Sequence, residues 1–145
     1  PIVYKEDFDF EIGKAIELRQ GDDVAIIATG SMVHCALKAA EHLEAMGISA
    51  SVLDMHTIKP LDITAVEAAC KRKLLVTVEE HSIIGGLGSA VAEKLALKTI
   101  HPPHLIIGAP DVYPHAGDYV SLLDSCGLTP DKVAGKILET YKELF

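Results

Sequence analysis

The chain has 145 residues, 49% of them hydrophobic and 23% charged, which favours one globular domain with a buried core over disordered, collagen-like or coiled-coil classes. The formal net charge is −8, and Arg19 and Arg72 are the only arginines, so the basic surface that nucleic acid or an anionic membrane requires is missing. No apolar run approaches the roughly 20 residues that cross a bilayer, and residues 1–10 do not resemble a signal peptide. We expect a cytoplasmic chain that binds neither nucleic acid nor membranes.

The first half of the chain alternates short apolar runs with amphipathic segments. In chain order it predicts an extended lead-in (1–9), an antiparallel edge strand (14–18), a buried strand (24–28), a helix that starts at the N-cap Ser31 and stops at Gly47, a strand (50–54), and a helix capped by Asp62 that runs to Ala69. The basic cluster Lys71-Arg72-Lys73 then suits the end of that helix, because cations are favourable at a helix C-terminus.

The second half continues the same alternation. It predicts a strand (74–78), a helix opened by the segment 82–89, a strand (105–107), a short helix (119–125) and a last helix that begins at Thr129-Pro130. Strands that alternate with helices indicate a mostly parallel sheet between two helix layers, an α/β/α sandwich, and residues 1–145 are predicted to form this single domain.

The cysteines and histidines give no clear metal or disulfide pattern. Cys35, Cys70 and Cys126 are odd in number and widely spaced, which favours reduced thiols over a disulfide framework. His101 and His104 are separated by two prolines, which prevent them from sharing one helix face, and no carboxylate or cysteine lies at ligand spacing. We expect no metal site in this chain.

The carboxyl ends of the strands are the places where ligands collect in an open α/β sheet. The candidate loops there are 29–31, 56–61, 79–88 and 109–117, and the first and third of them carry the candidate chemistry. Thr29, Gly30 and Ser31 offer backbone N–H groups and two hydroxyls at a helix start, a candidate anion site. The alternative is a plain N-cap and a tight turn, which needs no ligand.

The loop 79–88 joins charged residues to glycines. Glu79, Glu80 and His81 form either an acid/base group or an ordinary charged strand end. Gly85, Gly86 and Gly88 lack the order and the downstream acidic residue of a dinucleotide fingerprint, so they favour close backbone approach at an interface instead.

Three blocks carry a family resemblance, and together they span nearly the whole chain. They read GDDVAIIATGSM (21–32), KPLD (59–62) and VTVEEHSIIGGLGSAVAE (76–93). They are similar to the C-terminal domain of transketolase, a domain shared with 1-deoxyxylulose-5-phosphate synthase and the 2-oxo-acid dehydrogenase beta chain. Those two relatives often carry an arginine shortly before the Pro-Leu-Asp triplet, whereas this chain has Lys59, more like the C-terminal chain of split transketolases.

The resemblance implies a five-stranded sheet with one antiparallel strand, and a role within a homodimeric enzyme that transfers a two-carbon ketol unit between sugar phosphates. Thiamine diphosphate and a divalent metal (Mg) belong to that enzyme but are held by other domains, through a Gly-Asp-Gly motif followed by asparagine. This chain has no asparagine, so the motif cannot be completed here. The resemblance therefore predicts no catalytic, cofactor or metal residue in this chain, which is expected to be inactive alone.

The expected role is contact with the N-terminal transketolase domains or subunit. Glu79, Glu80, His81 and the loop with Gly85, Gly86 and Gly88 are the predicted interdomain or dimer contacts, and an exposed apolar patch around this loop is expected. The competing hypothesis is a freestanding regulatory module that binds a small anion at Thr29, Gly30 and Ser31.

Overall fold

The computed structural model describes residues 2–113 and 115–145 and contains a five-stranded sheet between two helix layers. The strands are β1 (Ile16–Arg19), β2 (Val24–Ala28), β3 (Ala50–Asp54), β4 (Leu74–Ser82) and β5 (His104–Ala109). The helices are α1 (Met32–Ala45), α2 (Ile63–Ala69), α3 (Leu87–Leu95), α4 (Tyr119–Ser125) and α5 (Pro130–Leu144).

The strand order across the sheet is β1-β3-β2-β4-β5. The first strand is antiparallel to β3, and the other neighbouring strands are parallel. The predicted α/β/α sandwich with one antiparallel edge strand is confirmed.

The central strand β2 shows why its sequence reads as one apolar run. All five of its residues are buried, and their side chains alternate between two cores. Val24 and Ile26 face the core formed with α1 and α5, while Ala25 and Ile27 face the core formed with α2 and α3. Because helices cover both faces of the sheet, neither face of β2 tolerates a polar residue.

The start of α2 matches its prediction and also ties two elements together. The Asp62 carboxylate accepts hydrogen bonds from the backbone N–H of Ala65 (3.0 Å) and of Ala15 (2.9 Å). Burial alone raises the pKa of Asp62, but these backbone donors outweigh it and hold the pKa below its usual value. Asp62 therefore caps the helix and fixes the chain entering β1 at the same time.

The predicted N-cap of α1 is confirmed in position but not in the side-chain hydrogen bond that favours serine there. Ser31 stands at the N-cap position, but its side chain makes no cap hydrogen bond. The first turn is closed by the backbone instead, with Met32 N–H donating to Thr29 C=O and Val33 N–H donating to Gly30 C=O, each at 3.2 Å. This tight turn places Gly30 at φ +59°, which glycine adopts without strain.

The basic cluster after α2 also differs from its prediction, because the last turn of α2 contains no basic residue. Arg72 instead donates its Nε–H to the carbonyl of Gly21 (2.5 Å), and Lys73 pairs with Asp23 (2.9 Å). The cluster therefore anchors the amino end of β2. The helix ends at Ala69, before the cluster begins.

The three thiols are free, with Cys35 buried and the other two partly buried. Burial raises the pKa of the Cys35 thiol to about 11, and its Sγ–H donates to the carbonyl of Leu128 (3.3 Å). Within the described ranges 2–113 and 115–145, no helix is long and apolar enough to cross a membrane.

Candidate functional site

The two loops singled out in the sequence meet in one crevice at the carboxyl edge of the sheet, between the ends of β2 and β4. This carboxyl-edge crevice has a volume of about 420 Å³ and is lined by Thr29, Gly30, Ser31, Ile58, Glu79, Glu80, His81, Gly85 and Gly86. The connections that follow β2 and β4 run to opposite faces of the sheet, to α1 and to α3. Such a switch point is where open α/β sheets leave a gap for a ligand or a partner.

The strand β4 continues past its predicted end and carries the polar residues into the crevice. It was expected to stop at Val78, yet it runs to Ser82. Val78 pairs with Ile107 and Ser82 pairs with Ala109, so β4 advances by four residues while β5 advances by two, and the register shifts between these pairs. The apolar run ends at Val78, which the sequence shows, but backbone pairing with β5 extends the strand without needing apolar side chains.

Glu79 is a buried carboxylate that holds the start of α3. Its side chain is 2% exposed and accepts hydrogen bonds from the backbone N–H of Leu87 (2.7 Å) and Gly88 (2.8 Å). A negative charge at this position also complements the dipole at the helix N-terminus. Gly86 makes room for the carboxylate, since a Cβ there would lie 2.0 Å from Glu79 Oε2. The Glu79 carboxylate therefore binds within the domain and is not free to contact a partner.

Glu80, the next residue, points outward and is held by two hydroxyl groups. The Ser31 hydroxyl and the Tyr119 hydroxyl both donate to Oε2 of Glu80, the latter at 2.7 Å. The bond to Glu80 raises the pKa of Tyr119, so the phenol keeps its proton and remains a donor. The three side chains link the ends of β2 and β4 to the start of α4.

His81 is exposed and forms no tight pair with the carboxylates beside it. Its Nδ1–H donates to the carbonyl of Ser82 (3.0 Å), and the same nitrogen lies 4.0 Å from Glu79 Oε2. A general acid/base pair requires hydrogen-bond contact at about 2.6–3.2 Å. The geometry therefore does not favour the acid/base interpretation of this segment.

The glycine loop brings apolar side chains to the surface. Ile83 is 36% exposed and Ile84 is 62% exposed, so the expected apolar patch beside Gly85 and Gly86 is present. Gly88, in contrast, does not line the crevice. It is packed below it, where a Cβ would lie 2.4 Å from the side chain of Ile106.

Sequence reasoning missed Tyr119 as part of this site, whereas Ile58 lies in the candidate loop 56–61 that the sequence did indicate. Tyr119 follows the Pro/His/Gly-rich connection after β5, and Ile58 follows β3, so both stand beyond a strand's carboxyl end. That position was the available signal, because the carboxyl ends of parallel strands meet at one edge of the sheet. The lead-in also crosses this edge, since Tyr4 donates its hydroxyl to the Asp54 carboxylate (2.6 Å) at the end of β3.

The electrostatics of the crevice are unfavourable for an anion. Two carboxylates, Glu79 and Glu80, line it, and its lining includes neither lysine nor arginine. The Ser31 hydroxyl that a phosphate would use already donates to Glu80. The described residues, 2–113 and 115–145, contain no group of three or more metal-ligating side chains.

Comparison with known proteins identifies the family. The model for the transketolase C-terminal domain matches residues 13–133. The chain belongs to the transketolase C-terminal domain family. A putative transketolase C-terminal section from Methanocaldococcus jannaschii is 44% identical over 144 residues, 98% of this chain and 45% of that protein. A 1-deoxy-D-xylulose-5-phosphate synthase from Thiobacillus denitrificans is 48% identical over 135 residues, 92% of this chain and 21% of that protein.

A solved structure confirms the relationship at the level of the fold. A split-gene transketolase, an inactive β4 tetramer, superposes with a TM-score of 0.91 at 39% identity, over all of this chain and 48% of that one. The family is one of thiamine diphosphate enzymes of the transferase type. This chain therefore spans slightly less than half the length of each of these two transketolase relatives.

Proposed function

We propose that this chain is the C-terminal section of a transketolase, which transfers a two-carbon ketol unit from a ketose phosphate to an aldose phosphate. The remaining section is the part of that enzyme that lies outside this chain. The role of this chain is to contact the remaining section through the carboxyl edge of the sheet. The exposed apolar side chains beside the glycine loop carry this proposal, with Ile83 at 36% exposure and Ile84 at 62%. Exposed apolar side chains clustered at one edge mark an interaction surface.

We propose that thiamine diphosphate and its magnesium ion are held by the remaining section of the enzyme. When bound there, the cofactor would supply the electron sink of the reaction. The residues of this chain do not fit the group. The carboxyl-edge crevice places Glu79 and Glu80 where a diphosphate would meet like charge, and the chain contains no asparagine to complete the family's metal motif.

We further propose that the complete enzyme is a homodimer and that this chain alone is inactive. Its crevice offers no histidine–carboxylate pair at hydrogen-bond distance, since His81 Nδ1 lies 4.0 Å from Glu79 Oε2 and donates to the Ser82 carbonyl. The split-gene relative solved as a β4 tetramer is itself described as inactive, which supports the expectation for an isolated section.

A reconstitution assay tests the proposal. The chain, the remaining section and their mixture are each supplied with thiamine diphosphate, magnesium, a ketose phosphate donor and an aldose phosphate acceptor. We expect ketol transfer only in the mixture. Transfer by this chain alone, or a mixture without a stable complex, would contradict the proposal.

A pair of surface variants tests the role of the carboxyl edge. Ile84→Ser removes an exposed apolar side chain at this edge, whereas Leu97→Ser removes one that is 91% exposed beyond α3, toward the opposite edge. We expect Ile84→Ser to weaken assembly and Leu97→Ser to leave it unchanged. Equal effects of the two substitutions would show that the contact lies elsewhere.

The synthase relative supports a second candidate activity, since it is 48% identical over 92% of this chain. In that case the assembled enzyme would condense pyruvate with glyceraldehyde phosphate and release carbon dioxide. The same mixture, given these substrates, distinguishes the two activities by carbon dioxide release.

A further inference from the structure

Glu80 is one of the hydrogen-bonded surface carboxylates of the described chain that have no cation beside them. Elsewhere Lys38 pairs with Glu41, Lys136 with Glu139, and Lys98 with Glu67. Within the part of the chain that the structure describes, Glu80 forms no ion pair, and both of its hydrogen bonds come from neutral hydroxyls to Oε2. Its Oε1 accepts no hydrogen bond from those residues and is left free for another donor.

The surface next to Glu80 is apolar. An open groove of about 490 Å³ begins at Gly30 and Ser31, on the other side of the Ser31–Glu80–Tyr119 contact, and runs between α1, α4 and α5. Its lining is mostly apolar and includes Val120, Leu123 and Leu128. The Glu80 carboxylate therefore stands at the junction of an apolar groove and a crevice that already contains the negative charge of Glu79.

We propose that the carboxylate of Glu80 receives a basic side chain, arginine or lysine, from the remaining section of the enzyme, whose neighbouring apolar side chains enter the groove. This inference rests on the proposed function. Charge complementarity carries it: the crevice and the groove are lined by two carboxylates and by no lysine or arginine. A basic group placed there would offset two negative charges and use the unpaired Oε1.

The same charges argue against a second copy of this chain as the occupant. A contact between two copies through this edge would bring the carboxylates of Glu80 and Asp118 from both copies into one interface. Like charges across an interface are unfavourable, and the lining of this face contains neither lysine nor arginine to balance them. The partner surface therefore belongs to a different section.

Binding of the full chain to the recombinant remaining section tests this inference. Glu80→Gln removes the charge while its amide oxygen still accepts from the two hydroxyls. Glu67→Gln, on α2, removes the same charge from an exposed pair with Lys98 and serves as the matched control. We expect Glu80→Gln to weaken binding by about 30-fold and Glu67→Gln to leave it within about twofold. Glu80→Lys should weaken it by more than about 100-fold, because it sets like charges against each other.

Salt dependence separates a charge contact from a change in packing. The dissociation constant of the unaltered chain should rise with salt more steeply than that of Glu80→Gln, since one ion pair is lost in the variant. Circular dichroism checks that each variant is folded, which we expect because Glu80 is exposed. If the unaltered chain does not bind the remaining section, both the proposed function and this inference fail. If it binds and Glu80→Gln binds equally well with the same salt slope, only this inference fails.

Discussion

Replacing Glu79 by glutamine changes only one group, yet we expect it to cost about 3 kcal/mol of unfolding free energy. The carboxylate accepts two backbone N–H groups, from Leu87 at 2.7 Å and Gly88 at 2.8 Å, with the side chain 2% exposed. A hydrogen bond to a charged group contributes about 1.5–3 kcal/mol, and a buried donor left without a partner costs about 1–3 kcal/mol. Glutamine keeps one acceptor oxygen, but its NH₂ group then faces the second N–H, so one bond weakens and the other is lost.

Urea unfolding followed by far-UV circular dichroism at pH 7 measures this effect. Glu80→Gln is the control, because it removes an adjacent but exposed charge and should cost less than about 1 kcal/mol. A loss of about 3 kcal/mol would also lower the melting temperature by roughly 6–12 °C for a domain of this size. If the two variants unfold within 1 kcal/mol of each other, the reasoning about Glu79 is wrong.

A double-mutant cycle with Gly86 tests the same contact from the other side. A methyl group at position 86 would lie 2.0 Å from Glu79 Oε2, so Gly86→Ala must displace the carboxylate from its two donors. We expect Gly86→Ala to cost about 2 kcal/mol in the natural chain and less than about 1 kcal/mol when Glu79 is already alanine. Strictly additive free energies would show that the two positions do not compete for the same space.

Four other substitutions probe the scaffold around the site. Gly21→Ala should destabilise by more than about 3 kcal/mol, since its Cβ would lie 2.2 Å from the backbone of Ala50, whereas Gly135→Ala in α5 meets nothing within 4 Å and should stabilise by about 0.5–1 kcal/mol. Asp62→Ala should cost about 1–2 kcal/mol at pH 7 through loss of the α2 cap. Because the pKa of Asp62 is lowered in the folded chain, this contribution is present above the unfolded pKa and disappears as the pH falls through the folded one. Burial, with a smaller effect of the neighbouring His101, lowers the pKa of His104 from 6.5 to about 4. The free energy of unfolding should therefore fall by about 1–2 kcal/mol between pH 7 and pH 5, and His104→Gln should not show this fall.

Chemical denaturation at several pH values checks these expectations together. For His104, the unfolded chain takes up a proton below pH 6.5 that the folded chain excludes until about pH 4, so stability must fall as the pH falls through that window. Parallel pH profiles for the natural chain and His104→Gln would contradict this assignment. If Gly21→Ala melts at the same temperature as Gly135→Ala, the backbone of β3 can move away from the added methyl group without cost.

The main errors in the sequence-based account come from features that depend on neighbouring elements. The apolar run 74–78 predicts where β4 begins, but pairing with β5 extends the strand to Ser82. The type of residue at position 31 predicts a helix cap, but Glu80 lies near enough to accept its hydroxyl instead. In each case a local pattern competes with a contact between residues far apart in the sequence, and the distant contact prevails.

The candidate site shows the same division. The sequence identified Thr29-Gly30-Ser31 and the segment from Glu79 to Gly88 as two separate strand ends, because glycines and polar residues that follow apolar runs have a local signature. It did not show that the two segments line one crevice, since the strand order is set by how the whole sheet packs. Nor did it show that Glu79 points inward while Glu80 points outward.

The sequence alone determined the fold class, the alternation of strands and helices and the free thiols, because periodicity and composition are properties of short stretches. It determined the family through the resemblance of three sequence blocks. The tertiary structure decided which carboxylate caps a helix and which one faces a partner. Successive side chains on a strand point to opposite sides, and only the packing of α3 and α4 against the end of β4 determines which side is buried.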